Sequence, residues 1–158
     1  LPFGGEEVAL ETHAAYMGAM PHHTTTLAFD TPGPGLTEIT REVADWLEST
    51  GVETGLLTAL CRHTSASLLV NENAARAVQH DIVAWLDRVA PESSAYAHDD
   101  EGPDDMPAHL KAALTGVSHS IPVSGGRMML GTWQGLFLAE HRARPHRREV
   151  ALHVVGEP

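Results

Sequence analysis

Apolar positions along the chain follow two periods. Over residues 37–50, Ile39, Val43, Trp46 and Leu47 recur at the spacing of an amphipathic helix, and Gly51 supplies a stop. A second helix is predicted over residues 74–89, with Val78, Ile82, Val83 and Leu86 on one face, Asn73 placed to cap it and Pro91 to end it. Met106 or Pro107 opens a shorter helix that runs through Leu114 and closes at Gly116. Elsewhere the period is two, or the run is apolar throughout. Strands are predicted over residues 22–29, 54–62, 66–70, 117–123, 127–132, 134–141 and 148–155. Thr31-Pro-Gly-Pro-Gly35 reads as a turn, and Ser124-Gly-Gly126 as a tight hairpin. Gly131 and Gly135 mark a bulge or a close backbone approach.

Strands mixed with three helices and then a run of strands imply an α+β fold rather than regular βαβ winding. The expectation is one compact domain over residues 22–158, a mixed β-sheet or sandwich with about three helices packed on it. Residues 1–21 show no clear period and read as an N-terminal extension or a vector-derived remnant, with Met17 and Met20 as alternative starts. A chain of 158 residues suffices for one proper core.

Charge narrows the function classes. Ten basic residues against 21 acidic ones give a formal charge of -11, which argues against nonspecific binding to nucleic acid or to anionic membranes. No apolar run approaches the roughly 20 residues that span a bilayer. The single cysteine, Cys61, rules out an internal disulfide and points to a cytoplasmic protein. It sits in an apolar strand and reads as inert core. Arg142, Arg144, Arg147 and Arg148 crowd together with His141 and His146, either as a solvated turn or as a local anion contact.

The chemistry concentrates in three places. Residues 98–109 read His-Asp-Asp-Glu-Gly-Pro-Asp-Asp-Met-Pro-Ala-His, with five carboxylates between two imidazoles. Such a block is either a solvated acidic loop or a segment whose repulsion a bound cation offsets. His63 can join His98 and His109 as a third ligand, making an open three-His site for a divalent metal, zinc foremost. Asp104, Asp105 and Glu101 are then the candidates for proton transfer or for orienting the histidines. Second, His63-Thr64-Ser65-Ala-Ser67 followed by Asn71-Glu-Asn73 places hydroxyls and amides to hold a phosphate, an oxyanion or a water, although a plain Ser/Thr turn has the same signature. Third, Thr132-Trp133-Gln134 offers a stacking ring and a hydrogen-bonding amide, unless Trp133 is core. Glu140 and His141 alternate along a strand, so only one faces a given side.

Taken in order, His63-Thr-Ser-Ala-Ser67, Asn71-Glu-Asn73, Glu101-Gly-Pro-Asp-Asp-Met-Pro-Ala-His109 and Gly131-Thr-Trp-Gln-Gly135 resemble the YjbQ-like family, from about residue 22 to the end. Members of that family are often labelled secondary thiamine-phosphate synthases. The resemblance implies a compact α+β domain assembled as a homotrimer. It also implies a weak thiamine-phosphate synthase activity, in which a pyrimidine diphosphate couples to a thiazole phosphate and pyrophosphate leaves. The family's motif histidines fall on His63, His98 and His109.

Three functional readings follow. The first is a metal-assisted enzyme on a small phosphorylated or heterocyclic substrate, with Thr64, Ser65, Ser67, Asn71, Asn73, Thr132 and Gln134 positioning it. The second is a non-enzymatic module that binds a small anionic metabolite. The third is a metal-dependent phosphate-ester hydrolase.

Overall fold

The computed structural model describes residues 20–93 and 95–158, so all of the expected extension except Met20 and Pro21 lies outside the described residues. The elements run β1 (His22–Thr31), β2 (Gly35–Glu38), α1 (Thr40–Thr50), β3 (Thr54–Cys61), β4 (Ala66–Glu72), α2 (Arg76–Val89), α3 (Asp105–Thr115), β5 (Ser118–Ser124), β6 (Arg127–Met128), β7 (Gln134–Glu140) and β8 (His146–Glu157). The α+β reading holds. Two sheets form, a five-stranded one ordered β1-β8-β3-β5-β6 and a three-stranded one ordered β2-β7-β4.

The sheet expected to be mixed is instead antiparallel at every pairing among the described residues. Connectivity gives the reason. A parallel pair needs a crossover that returns to the same sheet. Here α1 leads from β2 in the smaller sheet to β3 in the larger, and α2 and α3 lead from β4 to β5, again between sheets. No helix joins two strands of one sheet.

Period-two alternation sets the layers. In β8 the side chains of Val150, Leu152 and Val154 point into the core, as do Leu57 and Ala59 of β3 and Ile121 and Val123 of β5. Leu136 and Leu138 of β7 meet them from the opposing sheet, and Ile39, Val43 and Leu47 place the apolar stripe of α1 in the same core. The alternate β7 residues, Phe137 and Ala139, are equally buried but face the other way, where Ala139 lines a narrow cleft with Leu86 of α2 and Lys111 of α3. β7 is thus sandwiched on both faces, and its C-terminal end delivers Glu140 to one side and His141 to the other.

Several boundaries moved for local reasons. The turn after β1 leads into β2, a strand too short to show a period, and α1 starts at Thr40 rather than residue 37. α2 starts at Arg76, and Asn73 does not cap it: its amide donates to Glu38 at 3.1 Å and its backbone N–H to the Trp133 carbonyl at 3.0 Å. The strand expected to return over residues 127–132 pairs only through Met128; beyond it Gly131 and Gln134 close a turn, with the Gln134 N–H donating to the Gly131 carbonyl at 2.9 Å. α3 begins at Asp105, one residue before the prediction, and Pro107 sits in its first turn where its missing N–H costs nothing. Among the described residues no helix is long and apolar enough to cross a membrane.

Gly55 and Gly156 face each other across β3 and β8. A Cβ at Gly55 would lie 2.2 Å from the Val155 carbonyl oxygen, and one at Gly156 would lie 2.2 Å from that of Thr54. Backbone cannot retreat as a flexible side chain can. Gly156→Val is therefore expected to lower stability by at least about 2 kcal/mol, as overpacking in a close-packed interior does. Urea unfolding checks this, and a variant as stable as the parent would contradict the described strand spacing.

Candidate metal centre

The first turn of α3 carries the centre. Asp105, the first helical residue, is 1% exposed although its neighbours in sequence are loop carboxylates. Its Oδ2 lies 2.7 Å from His98 Nε2 and 3.2 Å from His109 Nε2. His109 reaches it from one helical turn on. His98 reaches it from the acidic loop, and the two rings tilt at 45° with centroids 5.7 Å apart. One ligand atom from each of His98, Asp105 and His109 falls within 4.8 Å of the other two.

Proton bookkeeping makes this group unusual. His109 Nδ1 lies 2.9 Å from the Thr64 carbonyl oxygen, which can only accept, so Nδ1 carries the hydrogen. A neutral His109 then turns the lone pair of Nε2 toward the Asp105 carboxylate, which also only accepts. The contact needs a positive charge between the two atoms: a second proton on the ring, or a metal ion. A metal-binding histidine typically donates its other N–H to a carbonyl, which is the role Thr64 fills here. Two imidazoles, one carboxylate and an open side fit a divalent ion of the zinc type.

The remaining carboxylates are held by Arg142. Its Nε donates to Asp104 Oδ2 at 2.9 Å, its Nη1 to Asp105 Oδ1 in a short contact, and its Nη2 to the Glu101 carbonyl at 3.0 Å. The Ala143 N–H adds a second donor to Asp104 Oδ2 at 2.9 Å. Burial pushes the Asp104 carboxyl up, but the Ala143 N–H and the guanidinium outweigh it and hold it below the usual range. Asp104 is thus held as an anion, which suits the orienting role expected of it, through Arg142, better than the proton-transfer role. Glu101, with its carboxylate 4.0 Å from Arg142 and its side chain 67% exposed, keeps the freedom that role requires. Of the two things the sequence offered, Arg142 is the anion contact and not the solvated turn, and the anions are the chain's own carboxylates. It is the internal counter-charge of the acidic loop.

His63, the third expected ligand, stands apart from this group. Its Nε2 accepts the Glu149 N–H at 2.7 Å, tying the ring to β8, and burial followed by the nearby Arg148 charge lowers its pKa. Ser65 and Ser67 are also turned inward. The Ser65 hydroxyl lies 3.1 Å from Arg148 Nη2, inside a buried pair in which Arg148 meets Glu140 at 2.5 and 2.7 Å and Thr31 donates to Glu140 at 2.7 Å. The Ser67 hydroxyl is fully buried between His141 and Thr115, with no surface open to solvent.

Asn71, Asn73, Thr132 and Gln134 lie elsewhere. β4 pairs Ala66 with Glu140 at one end and Glu72 with Gln134 at the other, so these residues sit about 20 Å from Thr64 at ordinary strand rise. There the Asn71 side chain accepts the Glu72 N–H at 2.7 Å, and Gln134 accepts that of Gly131 at 2.8 Å. Trp133 is 66% exposed, which excludes the core alternative, and it borders an open surface depression with Val70, Asn71 and Gln134. The expected substrate residues therefore form two groups at opposite ends of β4, and one chain does not bring them together. Arg142 and Thr64 O were the functional contacts the sequence hid: a backbone carbonyl has no signature, and an arginine 37 residues after Asp105 has no fixed spacing to it.

A model of the family described as "UPF0047 protein YjbQ-like" matches residues 24–157. The UPF0047 protein sll1880 of Synechocystis sp. is 47% identical over 136 residues, covering 85% of this chain and 92% of its own. A conserved hypothetical protein of Thermus thermophilus, TT1486, superposes with a TM-score of 0.73 at 37% identity, over 81% of this chain and 97% of its own. An uncharacterized YjbQ/UPF0047 protein of Clostridium acetobutylicum gives 0.72 at 34% identity, over 84% and 98%.

Two outcomes are expected from this geometry. Arg142→Gln leaves the buried Asp105 without its counter-charge and should cost about 3 kcal/mol of unfolding free energy, with loss of hydrogen-exchange protection in the first turn of α3. Unchanged urea stability would contradict the role given to Arg142. Acidification should also destabilise the fold before ordinary carboxylates titrate. His141 is pushed down to about 4 by burial and by the Lys111 charge, so the unfolded chain takes up its proton first and stability falls as pH drops from 6.5 toward 4. The loss from this ring alone is roughly 3 kcal/mol. Asp104 and Glu140, both held below their usual values, keep their contribution above the ordinary carboxylate range and lose it as pH falls through their lowered values. Urea midpoints that stay flat between pH 7 and 5 would exclude the His141 assignment.

Proposed function

The chain belongs to the YjbQ-like UPF0047 family, and on that premise we propose that it is a metal-assisted enzyme acting on a small phosphorylated or heterocyclic substrate at His98, Asp105 and His109. The observation that carries the reading is the His109 ring, which donates its Nδ1 hydrogen to Thr64 and sets Nε2 against the Asp105 carboxylate, a contact that a metal ion between the two atoms would satisfy. Zinc is the ion this donor set favours. When bound, it supplies Lewis-acid stabilisation of a phosphate or pyrophosphate oxygen. The chain's own residues do the rest. Thr64 fixes the ring of His109, Arg142 fixes Asp105, and the exposed carboxylate of Glu101 is the group we assign to proton transfer.

Thiamine-phosphate synthesis is the reaction class we assign, because its leaving pyrophosphate needs a cation that an acidic loop supplies only through a bound ion. We further propose a homotrimer in which the Asn71, Asn73, Thr132, Trp133 and Gln134 end of one subunit meets the metal centre of the next. A cyclic assembly joins unlike surfaces, which is how two ends of one strand come to share a pocket. Asn71, Asn73, Thr132 and Gln134 would then recover the substrate-positioning role that a single chain denies them.

Elemental analysis of protein purified without chelator should find about one equivalent of a transition metal per chain. Asp105→Asn and His109→Ala should lose it, while His63→Ala, folded by circular dichroism, should keep it. A full complement of metal in the first two would dismiss the centre. Metal-loaded protein should release pyrophosphate from a pyrimidine diphosphate only when a thiazole phosphate is added. Silence with that pair would reject the substrate, and release of inorganic phosphate from simple esters would favour the hydrolase.

A further inference from the structure

A second polar group, with Lys111 and His141 as its buried members, lies on the other flank of α3. Asp87, Ala90, Pro91 and Glu92 from the end of α2, Asp104, Pro107 and Lys111 from α3, and His141 and Ala143 past the end of β7 enclose a cavity of about 260 Å³ with Pro34. None of His98, Asp105 and His109 lines it. Lys111 is 9% exposed and donates to Asp87 at 2.6 Å. His141 is 6% exposed, and its Nε2 lies 2.8 Å from Ser67 Oγ.

The hydrogens of this cluster can be assigned without choice. Thr115 Oγ1 lies 2.7 Å from the Lys111 carbonyl, one helical turn back, and a carbonyl only accepts, so the threonine hydrogen is there. Ser67 Oγ and Thr115 Oγ1 are 2.6 Å apart, and the hydrogen between them must come from Ser67. The hydrogen between Ser67 Oγ and His141 Nε2 then comes from the imidazole. The chain runs His141 to Ser67 to Thr115 to the Lys111 carbonyl, and it fixes the Nε2–H tautomer. Burial, followed by the Lys111 charge, keeps the ring neutral. Nδ1 is therefore a bare acceptor, and it has no hydrogen-bond partner among the described residues. No buried side-chain nitrogen or oxygen among them is sealed off without a partner, so Nδ1 must open onto free space. The space His141 lines is this cavity and a narrow cleft that shares Pro34, Asp87 and Lys111 with it.

We propose that this cavity is a second ligand site, for an uncharged planar molecule that presents an N–H donor beside a carbonyl or ring-nitrogen acceptor. The donor edge meets His141 Nδ1 and the acceptor meets the ammonium of Lys111, which has hydrogens left after Asp87. Charge selects the neutral form. Asp87 already matches Lys111 and Arg142 already matches Asp104, which leaves Glu92 as the unmatched charge of the walls, so a carboxylate or phosphate finds no free cation there. A fixed acceptor whose tautomer a hydrogen-bond chain enforces rejects ligands that lack the matching donor, because the buried nitrogen is then left unpaired. The site stands independently of the metal centre.

The native chain tests it with two probes of one shape, 2-pyridone and N-methyl-2-pyridone, and with benzoate as the anionic control. Nitrogen-15 NMR of the histidine rings should show His141 protonated at Nε2 alone. Saturable binding of 2-pyridone should shift the His141 Nδ1 resonance, with N-methyl-2-pyridone and benzoate each at least about tenfold weaker. Lys111→Met, checked for folding by circular dichroism, should weaken 2-pyridone by a similar factor. An Nδ1–H or doubly protonated His141 at neutral pH overturns the proposal. So does absence of 2-pyridone binding, or equal binding of all three probes.

Discussion

The guanidinium of Arg142 is the contact on which the site depends. Five carboxylates crowd into residues 98–109, and in water such a loop would stay extended. Arg142 draws Asp104, Asp105 and the Glu101 carbonyl onto one planar cation just past the end of β7. That single anchor permits Asp105 to be buried, starts α3 at Asp105, and sets the carboxylate where His98 and His109 converge. Breaking it would strand a charge in the interior, which is why its loss is costly even though the pair's net contribution in the intact fold is modest.

The two faces of β7 then acquire different chemistry by simple alternation. Glu140 points between the sheets and meets Arg148 and Thr31, with Arg148 also donating to Ser65, and together they close the end of the core with a saturated ionic cluster. His141 points outward beneath the helices and joins a chain of hydroxyls that ends on a helix carbonyl. Arg142 follows and reaches the acidic loop. Three consecutive residues therefore serve three separate environments. In two of them a backbone carbonyl that can only accept decides where the hydrogens go: Thr64 for His109, Lys111 for His141.

Much of this was legible in the residues. Helical and strand periods located most elements, because burial on one face imposes them, and the alternation of Glu140 and His141 was visible directly. The acidic block with its two histidines marked where His98, Asp105 and His109 come together. What failed to read through was pairing at a distance. His63 carries the chemistry of a ligand, yet a Glu149 N–H brought beside it by the β3–β8 pairing occupies its nitrogen. Ser67 belongs to a motif of hydroxyl residues in sequence but is buried on the helix-covered face of β4, between His141 and Thr115. The antiparallel sheets escaped because local pattern does not say which sheet a strand joins. β2 escaped because four residues hold too little period, and the supposed return strand stopped at Met128 because Gly131 turned the chain.

The central claim is that an ion belongs between His109 Nε2 and Asp105 Oδ2. Anomalous diffraction at the zinc edge, from crystals soaked in zinc at neutral pH, addresses it most directly. A peak within bonding distance of His98 Nε2, His109 Nε2 and Asp105 Oδ2 is the predicted result. Density at His63 instead, or none at these three atoms while the Thr64 contact persists, would mean that His109 simply carries two protons.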